Sequence, residues 1–199
     1  PREPSWELVH INQINSHVQN MYSAELIKNL IPLVDQFKQD PELELEGSLG
    51  IFGGGSFTGG VNYSYFKNLH SVFSGSNTAF PEEWSTPDNQ SHFADFFHSG
   101  DIRARYNAQT PPVFVRKTPE CKIDIGCNER CYQLRINLKR EAPLPSGHTV
   151  YTKPTLVRLH ERWSFIYKDI WRYDFTKIAE GTSKETACST NPLFEVELE

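Results

Sequence analysis

Two stretches of this chain place a carboxylate at every second residue: Glu42, Glu44 and Glu46 in PELELEG, and Glu195, Glu197 and Glu199 in FEVELE. Period two is the signature of an extended strand, whose successive side chains point to opposite faces. Each stretch therefore carries its glutamates on one face, with Leu43 and Leu45, or Val196 and Leu198, on the other. A single row of this kind is commonly the solvent face of a half-buried sheet. Two rows set side by side repel each other, and carboxylates withdrawn from water either take up protons or recruit a cation. A fold that brings these rows together needs positive charge between them.

Other segments supply that charge with the same alternation. Arg103 and Arg105 share one face of IRARY, Arg158, His160 and Arg162 share one face of VRLHERW, and Arg135 and Lys139 share one face of LRINLKRE. On an outer surface such residues would form ion pairs that stabilise little. Segregation of sign by strand instead suggests a barrel interior with an acidic wall for a divalent cation and a basic wall for phosphate oxygens. Mg²⁺ and Mn²⁺ prefer carboxylate oxygens and bridge to phosphates, while guanidinium groups match phosphate bidentately and stay charged. The combination suits metal-assisted hydrolysis of a phosphate ester or anhydride.

The rest of the chain reads as a mainly β protein with a few helices. SAELIKNLIPLVDQFKQD spaces Leu26, Ile27, Leu30, Ile31, Val34 and Phe37 as a helix does, with Ser23 placed to cap it and Pro32 expected to kink or break it. GIFGGGSFTGG lacks the G-K-[ST] ending of a phosphate-binding loop and reads as a flexible turn. A second helix carries Tyr63, Phe66, Leu69 and Phe73 on one side, with Gly75 as a stop signal. From about Phe80 the pattern turns to period two, predicting strands at HFADFFHS, DIRARYN, VFVRKTP, YQLRINLKRE, TLVRLHERWSFIYK, WRYDFTKIAE and FEVELE. Serial strands joined by short loops predict an antiparallel barrel, against whose outside the helices pack.

With 199 residues and no composition break, the chain is expected to form one domain over 1–199, a helical segment at 1–41 preceding the barrel at 42–199. A net charge of −5 and a pI near 5.8 give no overall basic footprint for nucleic acid, so any phosphate contact must come from a local cluster. No apolar run reaches the length of a membrane span, and the N-terminus does not resemble a signal peptide, which leads to the expectation of a soluble, intracellular protein with no membrane partner. Cys121, Cys127 and Cys131 fall in a C-x5-C-x3-C spacing that matches no standard zinc pattern and, like Cys188, read as reduced thiols. The histidines His92, His98 and His148 have no metal spacing either.

PELELEGSLG and FEVELE resemble the two glutamate motifs of the metal-dependent mRNA-capping RNA 5′-triphosphatases of fungi and protists, within the triphosphate tunnel metalloenzymes. GDIRARYN, VFVRKTPE, YQLRINLKREAP, VRLHERWSF and WRYDFTKI read like family strands in the same order, so the resemblance runs from Glu42 to Glu199. It implies a closed eight-stranded antiparallel barrel, a triphosphate tunnel, that removes the γ-phosphate from a 5′-triphosphate RNA end as the first step of capping. Carried over residue by residue, it implies that Glu44, Glu46 and either Glu197 or Glu199 hold Mg²⁺ or Mn²⁺, with Glu199 the better match. Arg103, His160 and Arg162 fall at cationic γ-phosphate contacts, Arg158 beside them, and Glu141 at the group that orients or deprotonates the attacking water. Asp174 and Thr176 match a tunnel-floor pair that supports the phosphate-binding side chains. Of the adjacent Arg116 and Lys117 at most one faces inward, and Arg116 is taken as the tunnel residue. The chain departs from the family in carrying His160 where a lysine is usual and Ser48 where many relatives have a basic residue. Nucleoside triphosphates as further substrates, a homodimer, a guanylyltransferase partner and a nuclear location are expectations of the same resemblance.

Two other readings stay open on sequence alone. A tunnel hydrolase of free nucleoside triphosphate, tripolyphosphate or thiamine triphosphate would share the wall chemistry, although Gly47 and Ser48 depart from the E-x-E-x-K start of those relatives. A non-catalytic barrel that binds calcium or a cationic partner would share the glutamate rows and show no turnover.

Overall fold

The computed structural model describes residues 27–74, 84–85, 90–125, 132–145, 150 and 152–199. The expectations for Ser23, Leu26, Gly75, Cys127, Cys131 and His148 lie outside these residues. Strands β1 (Leu43–Gly53), β4 (Ser91–His98), β5 (Ile102–Asn107), β6 (Val113–Ile125), β7 (Gln133–Pro143), β8 (Leu156–Tyr167), β9 (Trp171–Gly181) and β10 (Leu193–Leu198) are joined edge to edge. Their order is β1-β7-β6-β5-β4-β8-β9-β10, and β10 pairs back onto β1 through Gly47 with Leu198 and Ser48 with Glu197. Every pairing is antiparallel, which makes a closed eight-stranded barrel. Two short strands lie off the ring: β2 (Ser56–Gly59) pairs with β1, and β3 (Trp84–Ser85) with β8.

Period two divides each strand between two environments. On β1, Glu44 and Glu46 face inward while Leu43 and Leu45 join the outer apolar clusters. The apolar core therefore lies outside the barrel, between its wall and the helices. Helix α1 at 27–39 runs through Pro32, expected to kink or break it, without a break, and sets Leu33 against Leu43, Leu138, Ile123 and Ile136. Helix α2 (Tyr63–Phe73), capped by the Asn62 side chain on the Tyr65 amide, packs Phe66, Leu69 and Phe73 against Phe165, Phe175 and Val196. A short helix α3 (Lys184–Cys188), not anticipated, starts in a capping box at Ser183 and Thr186. Cys121 and Cys188 are free, exposed thiols.

The glycine-rich segment is a hairpin rather than a flexible turn. Gly53 pairs with Ser56, leaving Gly54 and Gly55 as a two-residue loop with φ of +59° and +81°, the left-handed backbone that such a tight hairpin requires. Next to it, a side chain at Gly50 would collide with the Thr58 carbonyl and the Phe57 ring.

Register along β6 changes once, between Pro119 and Cys121, where Glu120 bulges out of the ladder with β7. Before the bulge Lys117 and Pro119 face inward; after it Ile123 faces outward into the α1 cluster. The extra residue lets one long strand serve the tunnel and then the outer core.

Because the outer core carries the apolar burial, α2 should be separable from the tunnel in mutational tests. Phe66→Ala is expected to cost about 3–5 kcal/mol in urea unfolding, with Glu44→Ala, on the inner face, changing the midpoint much less.

Candidate active site

All eight barrel strands send side chains into one interior cavity of about 310 Å³. Its lining is almost wholly charged, an inside-out arrangement that holds only because nearly every group finds an opposite partner.

On the acidic side, β1 and β10 adjoin, so the glutamate rows face the same space. Glu44, Glu46 and Glu199 converge, with one carboxylate oxygen from each lying within 4.8 Å of the others. Backbone hydrogen bonds exchanged between Glu199 and Arg172, each 2.8 Å, fix the far member of this group. Glu197, the other candidate ligand, lies apart from the three: its nearest cationic partner is Arg162, at 3.6 Å. Glu197 and Glu199 both face the cavity, and the division follows from position along the strand: Glu197 stands opposite Ser48 of β1, two residues before Glu199. Burial and the neighbouring charge of Glu195 push the Glu197 carboxyl up to about 7, against the pull of Arg162 and Lys139. Glu195 is likewise raised, chiefly by burial.

Two lysines enter this wall from β6 and β7. Lys117 Nζ lies 2.6 Å from Glu44 Oε2, 2.6 Å from Glu141 Oε1 and 3.7 Å from Glu46 Oε2. Lys139 contacts Glu46 Oε1, which also accepts from Asn137 at 3.3 Å. Lys117 thus takes the inward position expected of Arg116. Arg116 is exposed on the outer face, because the cross-strand partner of Lys117 is the inward-facing Glu141, and adjacent residues of a strand alternate.

The opposite wall is built from β4, β5, β8 and β9. Arg103 donates to Glu141 at 3.0 Å, and its Nε is buried without a partner among the described residues. Burial acts against the charge of Glu141, but the hydrogen bond from Lys117 and the Arg103 guanidinium outweigh it and hold the carboxyl below its usual range. Arg162 is braced from beneath: Nη1 donates to Asp174 Oδ2 at 2.6 Å and Nε to Thr176 Oγ1 at 3.0 Å. Ser164 donates to the second Asp174 oxygen at 2.6 Å. Asp174 and Thr176 are both completely buried, so they hold Arg162 in place and do not reach the cavity themselves. Arg158 donates to Glu180 at 3.1 Å and lies 3.8 Å from Glu195.

His160 does not behave as the cation expected in a lysine's place. Its ring stacks on Phe93 with centroids 4.4 Å apart, and neither ring nitrogen has a hydrogen-bond partner among the described residues. Burial lowers its pKa to about 3; Asp95, 3.5 Å from Nε2, pulls the other way, but Arg162, Arg105 and Arg158 add to the depression. Asp95 is engaged elsewhere, accepting both Nε and Nη2 of Arg105 at 2.8 and 2.7 Å.

Sequence reading missed two participants and misplaced two others. Asp95 sits in an apolar run that looks like plain core, and Arg172, which bridges Asp174 and Glu199, stands at a strand start. Lys139 was assigned to the basic wall and Lys117 was passed over for Arg116, whereas both enter the acidic wall. Inward parity with Glu141 was the available signal for both lysines.

A family model described as mRNA capping enzyme, beta chain, matches residues 66–199. The fold is similar to that of the Schizosaccharomyces pombe Pct1 RNA triphosphatase, with a TM-score of 0.68 at 19% identity over 88% of this chain and 77% of that one. A structure of Pct1 in complex with the Spt5 CTD gives 0.67 at 18% identity with the same coverage. The Mimivirus capping enzyme triphosphatase gives 0.62 at 16% identity over 90% of each chain. No curated protein sequence matches the chain.

A neutral buried histidine carries a definite sign in pH dependence. With the folded-state pKa depressed from 6.5 to about 3, the His160 contribution to stability is present above about pH 6.5 and is lost as pH falls towards 3, with a slope of at most about 1.4 kcal/mol per pH unit. NMR titration should find the His160 ring neutral down to the acid limit of folding, and a midpoint near 6.5 would contradict this geometry.

Proposed function

The chain belongs to the mRNA capping enzyme beta-chain family, and from that premise we propose how its tunnel performs the reaction. The activity is hydrolysis of the γ-phosphate from 5′-triphosphate-ended RNA, giving 5′-diphosphate RNA and phosphate in the capping pathway. Metal dependence is general in the family. The observation that carries the assignment to this cavity is the pairing of a three-carboxylate cluster at Glu44, Glu46 and Glu199 with buried nitrogens of Arg103 and His160 that have no hydrogen-bond partner among the described residues. An anion with several oxygens satisfies the donors, and a hard divalent cation suits the all-oxygen cluster.

Three carboxylates whose oxygens already converge fit Mg²⁺ or Mn²⁺, and Lys117 now neutralises two of them. When bound, the ion would supply Lewis-acid polarisation of a γ-phosphoryl oxygen. The protein's own residues do the rest. Arg103 and Arg162 stabilise the equatorial oxygens of the transferring phosphoryl group as charge builds there. Arg162 is held ready by Asp174 and Thr176, so it reorganises little on binding. His160, as a neutral imidazole, offers one N–H to a phosphate oxygen, while Arg158 takes part further along the chain of phosphates. Glu141 accepts a hydrogen bond from the attacking water and sets its lone pair in line with the scissile P–O bond. Its lowered pKa suits orientation of the water better than early proton abstraction. The water adds to phosphorus, the bond to the β-phosphate oxygen breaks, and the proton leaves with the inorganic phosphate.

Because the wall recognises phosphates by charge, free nucleoside triphosphates are expected as secondary substrates. A nuclear location, a guanylyltransferase partner and self-association accord with a capping role and belong to the same proposal.

The test is γ-phosphate release from triphosphate-ended RNA beside ATP and tripolyphosphate. Glu44→Ala, Glu199→Ala and Glu141→Ala should each lower RNA turnover by about 100-fold or more with the circular dichroism spectrum unchanged, whereas Arg116→Ala should leave it within twofold. Cleavage of tripolyphosphate with RNA untouched would overturn the RNA assignment.

A further inference from the structure

The acidic wall is longer than one divalent ion requires. Glu44, Glu46 and Glu199 form one convergent group, but the row continues along β10 through Glu197 and Glu195, both half-buried and lining the same cavity. With Glu46 and Lys139 they also line a common side pocket. Carboxylates that share a cavity repel one another away from water, and a second divalent cation is one way to hold them.

Lys139 already stands there. It comes from β7, pairs across the ladder with Glu44, and turns its ammonium to Glu46 Oε1. The charges acting on it are those of Glu197, Glu44, Glu141 and Glu195, so it sits within the field of both parts of the wall. Asn137 shares the same Glu46 oxygen, which leaves Oε2 of Glu46 for the outer group. Lys117 is placed differently, its ammonium resting on Glu44 and Glu141, at the outer group itself.

We infer that Lys139 is a built-in counter-ion that fills the inner cation position between Glu46 and the Glu195–Glu197 pair, so that the tunnel takes up one divalent ion, at Glu44, Glu46 and Glu199. An ammonium cannot polarise a phosphoryl oxygen as a divalent metal does, but it offsets part of the row's charge without one. The inner glutamates then remain compact whether or not a metal is present. Lys139 is a specificity-determining residue for metal number, and it acts on the ion through Glu46. The inference rests on the metal reading of the outer carboxylates.

The experiment needs neither RNA nor hydrolysis. Mn²⁺ is titrated into the wild-type protein, Lys139→Met and Lys139→Arg, with stoichiometry read by calorimetry and by electron paramagnetic resonance of the bound ion. One equivalent is expected for wild type and for Lys139→Arg, with the spectrum of an isolated ion. Two equivalents are expected for Lys139→Met, with the line broadening of two nearby ions. A single equivalent in Lys139→Met, folded by circular dichroism, would overturn the proposal, as would two equivalents in wild type or in Lys139→Arg, which also covers a Lys139→Met protein that does not fold. No uptake by wild type would instead remove the metal reading of Glu44, Glu46 and Glu199, and this inference with it.

Discussion

Closure of the barrel forces two acidic strands into contact, and much of the inner wall is arranged around that contact. β10 meets β1 through Gly47 with Leu198 and Ser48 with Glu197, so the glutamates of both strands must share one enclosed space. Carboxylates at such separations in a low-dielectric interior are strongly unfavourable unless compensated. Lys139 from β7, Lys117 from β6, Arg172 from β9 directly beside β10, and Arg162 from β8 supply the compensation. Glu197 shows that it is incomplete, since its carboxyl is pushed up to about 7. A tunnel in this state favours an incoming divalent cation.

The basic wall meets the converse demand with buried acids beneath it. Asp174 holds Arg162 and Arg172, and Asp95 holds Arg105, each acid being nearly or fully inaccessible. Guanidinium groups fixed in this way keep donors directed into the cavity without paying for reorganisation when an anion arrives. The apolar burial that stabilises the barrel is moved to its outside, under α1 and α2, which leaves the interior free to be polar.

Much of this was legible in the chain because tunnel and outer core both impose period two on the same strands. The eight ring strands and the opposed signs of the walls follow from that alternation, and the outer helices from their own helical spacing. What alternation cannot supply is the absolute inward parity of a strand with charges on both faces. Arg116 and Lys117 were indistinguishable until pairing with Glu141 fixed the register, and the bulge between Pro119 and Cys121 resets that register further along. The choice between Glu197 and Glu199 depended on how far β10 slides past β1. Protonation was also hidden: the low pKa of His160 comes from burial against Phe93 and three surrounding arginines, drawn from β5 and β8. Asp95 looked ordinary because its partners lie on other strands, and Arg172 because Glu199, the acid it shares with the metal cluster, lies at the end of another.

The central claim, that the barrel interior is one site in which the glutamate rows hold a metal and the facing arginines hold the phosphates, is tested most directly by crystallography. Crystals grown with Mn²⁺ and a non-hydrolysable triphosphate analogue would be measured at the manganese absorption edge. The account predicts an anomalous peak coordinated by Glu44, Glu46 and Glu199, with the terminal phosphate against Arg103 and Arg162. A manganese peak outside the barrel, or a triphosphate bound with its terminal phosphate away from both arginines, would contradict it.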